Sequence, residues 1–141
     1  MKKVLIVSAN FYNDISINLV SSAKKKLSSS KIKSQVINVP GVFEIPFTIR
    51  KYIKRFDGFL ALGCVIKGET PHFDLICHST FNAILKLSIN YNKPIGNGII
   101  TSFNKQQAFK RSSINKKLYK PNKGSEAANA VISIFNNEPK N

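Results

Sequence analysis

The sequence predicts an α/β fold: one domain built on an open, parallel, four-stranded sheet with helices on both faces. Three observations predict it. Four apolar segments, VLIV at 4–7, SQVINV at 34–39, FLALGCVI at 59–66 and PIGNGIITS at 94–102, read as strands. Segments with apolar residues at helical spacing separate them, and parallel neighbours need such crossovers, which are almost always right-handed. At 141 residues the chain can bury one sizeable core and has no room for two domains of ordinary size.

VLIV is uninterrupted by polar residues, as expected of a strand covered on both faces. In NDISINLVSSAKKKLSSS, residues Ile15, Leu19, Val20, Ala23 and Leu27 share a helical face, and Asn13 or Asp14 is placed to cap it. SQVINV alternates and forms the second strand. Ile45, Ile49, Tyr52 and Ile53 mark a second helix that tolerates Pro46 in its first turn. Asp57 and Gly58 turn the chain into FLALGCVI, the most apolar stretch and the expected central strand. Phe73, Ile76, Cys77, Thr80, Phe81, Ile84 and Leu87 then predict a long helix over 73–90. The fourth strand is followed by a short helix at NKQQAFKRS and a final helix carrying Ala127, Ala128, Val131, Ile134 and Phe135 inward. No repeat or low-complexity linker interrupts this order, and only the tail at 137–141 is expected to be disordered.

The formal net charge is +15, which raises the question of nucleic acid. The distribution argues against it. Of 22 basic residues only Arg50, Arg55 and Arg111 are arginine, whereas phosphate and base readers use the bidentate guanidinium fork. The lysines are scattered, apart from KKK at 24–26 and NKKLYK at 115–120, and no aromatics are interleaved as a stacking platform would need. No apolar run approaches the roughly 20 residues of a membrane span, and the N-terminus lacks the length and cleavage pattern of a secretory signal. A soluble cytoplasmic protein with no membrane partner is expected. Cys64 and Cys77 match no zinc or redox spacing and read as packed thiols, so no metal site is expected.

In open parallel sheets the ligand crevice lies beyond the carboxyl ends of the strands. The loops there are SANFYND, PGVFE, KGETPH and TSFNK, and they hold Phe11, Tyr12, Gly41, Phe43, Glu44, Glu69, Thr70 and His72. One crevice could collect all of them. His72 suits proton transfer near neutral pH. The backbone N–H groups around Glu69 and Thr70, ahead of the helix from Phe73, could cradle an anion, with the Thr70 hydroxyl as a further donor. Arg111, taken alone, reads first as a solvated surface charge, though its guanidinium could fork onto phosphate oxygens. His78 falls inside the helical pattern and reads as structural.

PGVFEIPF at 40–47, LGCVIKGETPHFD at 62–74, NGIITS at 97–102 and NKGSEAANAVI at 122–132 resemble, in order, the signature segments of the 6,7-dimethyl-8-ribityllumazine synthase family. The resemblance covers nearly the whole chain. It implies a flavodoxin-like three-layer sandwich and condensation of 5-amino-6-(D-ribitylamino)uracil with 3,4-dihydroxy-2-butanone 4-phosphate in riboflavin biosynthesis. Phosphate and water are lost, and no cofactor or metal is used.

Carried over by position, the resemblance makes His72 the proton-transfer group and Arg111 the phosphate clamp. Glu126 would orient that arginine and Lys123 would add positive charge. Phe11 would stack on the pyrimidine, although relatives usually have arginine where this chain has Asn10. Gly41, Val42, Phe43 and Glu44 would hold the ribityl chain, while the backbone at Val65 and Ile66 would face the pyrimidine and continue into Lys67. Glu69 and Thr70 fall at the phosphate loop, with the Glu69 side chain directed away from the anion. Asn97 sits where relatives carry phenylalanine or asparagine.

The resemblance also implies a pentamer, free or doubled into a decamer, with active sites between subunits. Arg111 and Asn97 would then come from the neighbour of the subunit giving His72, and riboflavin synthase is a candidate partner. Only Met1, Lys2 and Lys3 precede the first strand, and SSINKKLYKP at 112–121 is longer than the link of shell-forming relatives, so the smaller assemblies are expected. The competing readings are a non-catalytic lumazine or flavin binder and a basic nucleic-acid module.

Overall fold

The computed structural model describes residues 1–115, 122–137 and 139. Along the chain run β1 (Lys3–Ala9), α1 (Asn13–Ser29), β2 (Lys33–Val39), a 3-10 turn (Val42–Glu44), α2 (Ile45–Lys51), β3 (Gly58–Ile66), α3 (His72–Tyr91), β4 (Ile95–Ser102), α4 (Lys105–Ser112) and α5 (Lys123–Asn136). The sheet has the order β2-β1-β3-β4, and every neighbouring pair is parallel. Register fixes the two faces: Ile6 lies beside Val36 on one side and Leu60 on the other.

Alternation along β1 splits the apolar residues between two layers. Val4 and Ile6 pack with Ile15, Leu19, Leu27, Ala128 and Val131 from α1 and α5. Leu5 and Val7 pack with Ile45, Ile49, Ile53 and Ile84 from the α2 and α3 side. Because β1 and β3 are buried on both faces, their sequences are runs of apolar residues, as in other parallel sheets. β2, at an edge, alternates instead, with Val39 its only buried residue.

The fold class and the order of elements agree with the sequence reading; details at helix ends and faces differ. α1 is capped by Tyr12, whose side chain makes no capping bond, while Asn13 and Asp14 lie inside the first turn. Asp14 Oδ1 accepts from the next amide, Ile15 N, at 3.0 Å. On α5, Ile134 is exposed and Ile132 is buried in its place. The inward stripe therefore runs through 124, 127, 128, 131 and 132, which is 3.6-residue spacing. Asn122 caps this helix, its Oδ1 accepting from Gly124 N at 2.7 Å and Ser125 N at 3.2 Å. α3 begins at His72 and is terminated after Tyr91 by Asn92, whose left-handed φ of 55° suits a helix cap. Only Thr80 and Ile84 of α3 are buried, so His78 is a surface residue and not a core one. Cys64 is buried, and Cys77 is only half-buried. The tail expected at 137–141 falls for the most part outside the described residues, as does 116–121 of the connection between α4 and α5. Among the described residues no helix is long and apolar enough to cross a membrane.

Lys93 ties the layers together. Its ammonium, partly buried behind α3, donates to the carbonyls of Ile53 (2.5 Å) and Phe56 (2.8 Å) in the turn between α2 and β3. Replacing Lys93 with Met keeps the aliphatic stem and leaves both carbonyls without this donor. We expect a loss of about 2 kcal/mol, measurable as a lower urea midpoint at unchanged m-value.

Candidate active site

The loops after β1, β2 and β3 enclose a cleft of ≈540 Å³ lined by Phe11, Tyr12, Gly41, Val42, Phe43, Cys64, Val65, Ile66, His72 and Ile76. Each wall has a local cause. β1 ends at Ala9 and the chain turns through Phe11 and Tyr12 into α1. The two rings meet edge to face, with centroids 4.9 Å apart. Tyr12 packs on the α1/α5 core while Phe11 stays 74% exposed, so the inner ring anchors and the outer one is presented.

Lys105, at the start of α4, holds this corner from outside. Its ammonium lies 3.3 Å from Asp14 Oδ2 and 5.9 Å from the Tyr12 ring centroid. The second wall is a tight turn closed by Glu44, whose Oε1 accepts from Gly41 N at 2.9 Å, and Thr48 Oγ1 donates to the Glu44 carbonyl at 2.9 Å. That turn buries Val42 and presents Phe43, which is 64% exposed. The third wall comes from the end of β3 and the start of α3. Val65 and Ile66 are half-buried, Lys67 N donates to Ser102 O at 2.9 Å, and the chain then passes through exposed Gly68, Glu69 and Thr70 to His72 at the first turn of α3.

Of the residues singled out from the sequence, Phe11, Tyr12, Gly41, Val42, Phe43, Val65, Ile66 and His72 therefore meet in one cleft. Glu44 braces a wall, and Lys67, Glu69 and Thr70 continue the third wall into the exposed β3–α3 loop. The Lys67 ammonium lies 5.4 Å from the Phe103 ring centroid. Arg111, Asn97, Lys123 and Glu126 do not line the cleft. Arg111 is half-buried on α4, with Nη1 donating to Gln107 O at 3.2 Å. Lys123 and Glu126, a turn apart on α5, approach to 3.5 Å. Asn97 lies on the edge strand β4, where its Oδ1 accepts from Ile99 N at 3.1 Å. These four belong to the β4, α4 and α5 side of the chain.

Sequence reasoning missed Cys64 and Ile76 as lining residues. Cys64 and Ile76 sat in apolar patterns that read as core alone. Burial pushes the Cys64 thiol up to about 11; the Asp14 carboxylate adds to the rise, and a hydrogen bond with Ser102 and the Lys105 charge offset part of it. A thiol with that pKa is only about 10⁻³ ionised at pH 8, against about a quarter for an ordinary one. Native Cys64 is thus expected to resist iodoacetamide at pH 8 and to react at once after unfolding, as mass spectrometry of the labelled peptides would record. Rapid native labelling would contradict the buried placement. Among the described residues no group of three or more histidine, cysteine or acidic side chains is arranged to hold a metal ion.

The arrangement can do three things: stack a flat ring on Phe11, surround a polar chain at the Gly41–Glu44 turn, and bring an imidazole to the junction. The 6,7-dimethyl-8-ribityllumazine synthase family model matches residues 1–138. Curated relatives of that name include one from Bartonella bacilliformis, 41% identical over 94% of this chain and 87% of its own length. Another, from Zymomonas mobilis, is 39% identical over 96% of both chains. A third, from Methylorubrum populi, is 35% identical over 94% of this chain and 80% of its own. With a model matching almost end to end and relatives at this identity, the chain belongs to the 6,7-dimethyl-8-ribityllumazine synthase family.

Proposed function

We propose that the chain, acting as one domain over 1–141, condenses 5-amino-6-(D-ribitylamino)uracil with 3,4-dihydroxy-2-butanone 4-phosphate, releasing phosphate and water, as a transferase of riboflavin biosynthesis. The observation that carries this reading is the cleft itself, where Phe11, the Gly41–Glu44 turn and His72 converge from three separate loops. The substrate amine attacks the ketone, so no enzyme nucleophile is needed, and holding two reactants in register supplies much of the rate. His72 relays protons during imine formation, elimination of phosphate and ring closure. Thr70 and the backbone of the β3–α3 loop receive the phosphate, and Arg111, steadied by Glu126 and supplemented by Lys123, clamps it.

Phosphate binding by Arg111 requires a neighbouring subunit, since on its own chain Arg111 does not line the cleft. A homo-oligomer, with pentamer as the unit and decamer as its double, fits the surface. Phe47 on α2 and Leu75, Leu85 and Ile89 on α3 are large, apolar and exposed, and the three on α3 fall on one side of that helix. Such patches mark contacts between chains. A cytoplasmic location and riboflavin synthase as a partner accord with this role.

The test mixes the purified protein with both substrates and follows the product's fluorescence and free phosphate against the uncatalysed background. Stoichiometric appearance of both supports the assignment. Binding of the lumazine product without its formation would convert the protein into a non-catalytic lumazine or flavin binder, and light scattering giving a monomer would remove the shared site.

A further inference from the structure

A second cavity of ≈560 Å³ runs between α1 and the β1–β2 side of the sheet and shares no lining residue with the active-site cleft. Its floor breaks the pattern of its strand. β1 is apolar at every other buried position, yet Ser8 faces this groove with a fully buried side chain, and its Oγ has no partner among the described residues. A buried hydroxyl without a partner destabilises the fold, and a Val or Ala would fill the position without that penalty.

The remaining polar lining consists of Asn13, Ser16, Ser21, Lys24 and Asn38. Ser16 Oγ is already committed, donating to Asn13 O at 3.2 Å. Ser8, Asn13, Ser21, Asn38 and Lys24 each bring a side-chain hydrogen-bond donor, no carboxylate lines the groove, and the one formal charge in it is positive. Asp14, the nearest acid in sequence, is paired with Lys105.

A pocket that offers donors, one cation and a buried unpaired hydroxyl is complementary to an anionic oxygen group. We propose that this groove is a second small-molecule site for a carboxylate- or phosphate-bearing ligand, held by Lys24 at the rim and Ser8 at the floor, independent of the condensation chemistry.

The test uses the full-length assembled protein carrying Arg111→Ala, which weakens the phosphate locus proposed for the active site. Inorganic phosphate and, separately, acetate are titrated while hydrogen exchange is followed in peptides spanning 13–24 and 34–39. The expected result is saturable protection of those peptides by at least one of the two anions, with Lys24→Gln weakening the affinity about tenfold. Ser8→Ala should weaken it as well while raising the melting temperature of the anion-free protein. Which anion protects identifies the headgroup. The proposal is overturned by protection confined to 67–72 and 105–112, by equal affinity in Lys24→Gln, or by no protection at all, the last including a groove covered by another subunit.

Discussion

Gly124→Ala is expected to lower the melting temperature by about 10 °C or more. Gly124 opens α5 where that helix crosses α1, and a Cβ built on it would stand 2.2 Å from the carbonyl oxygen of Leu19. Neither atom can yield, because the carbonyl belongs to the backbone of a buried turn of α1 whose Leu19 side chain is fully enclosed. On the sheet side the fit is as close: a Cβ at Gly96 would lie 2.3 Å from Ala127 O. α5 therefore rests on backbone contacts above and below, and a methyl group must push it away from one of them. Overpacking of this kind costs about 3 kcal/mol or more out of the roughly 5–15 kcal/mol that keeps a domain folded. Asn129→Ala, an exposed change on the same helix, is the control and should leave the midpoint within about 0.5 kcal/mol of its starting value. If Gly124→Ala melts with the control, the crossing of α1 and α5 is looser than described.

The sheet and its order of elements were legible because their signals are local. β1 and β3 are apolar on both faces, and the helices between them repeat at 3.6 residues. The departures occur where the outcome depends on a partner far along the chain. Ile134 and Ile132 are indistinguishable as residue types; which one turns inward is decided by the start of α5, fixed at Asn122 by side-chain bonds to two amides. Asn13 and Asp14 are good caps in isolation, yet the turn closes one residue earlier at Tyr12, whose ring is wanted beneath Phe11. His78 lies on a helix with a long apolar pattern, but that helix buries only Thr80 and Ile84, so the pattern does not mark a fully enclosed face within one chain.

The site divides the same way. Loops that end adjacent strands announce themselves, and Phe11, Phe43 and His72 line one cleft. Cys64 and Ile76 were hidden because a pocket wall and a core residue have the same composition. Ser8 was hidden by its neighbours, a single hydroxyl in an apolar strand that only the three-dimensional count of partners singles out.

Mixing two crippled variants is expected to restore activity, and this follows from the proposed division of His72 and Arg111 between neighbouring subunits. His72→Ala should lower kcat about 100-fold without abolishing turnover, since general acid–base help is lost while the positioning of both substrates persists. Arg111→Ala should act differently, raising KM for the phosphorylated substrate about 30-fold by removing charged hydrogen bonds to its phosphate, with a smaller change in kcat. If one subunit supplies His72 and its neighbour supplies Arg111, a protomer carrying Arg111→Ala still presents an intact cleft to a protomer carrying His72→Ala. Refolding the two together in equal amounts then creates complete sites at about a quarter of random interfaces in a closed ring. At subsaturating phosphorylated substrate the mixture should therefore recover about a quarter of the wild-type rate. The double variant mixed with wild type in the same ratio gives the count of wild-type pairs and serves as the reference. Were His72 and Arg111 of the same chain to act together, no mixture of the single variants could assemble an intact pair, and the rate would stay at the average of the two parents.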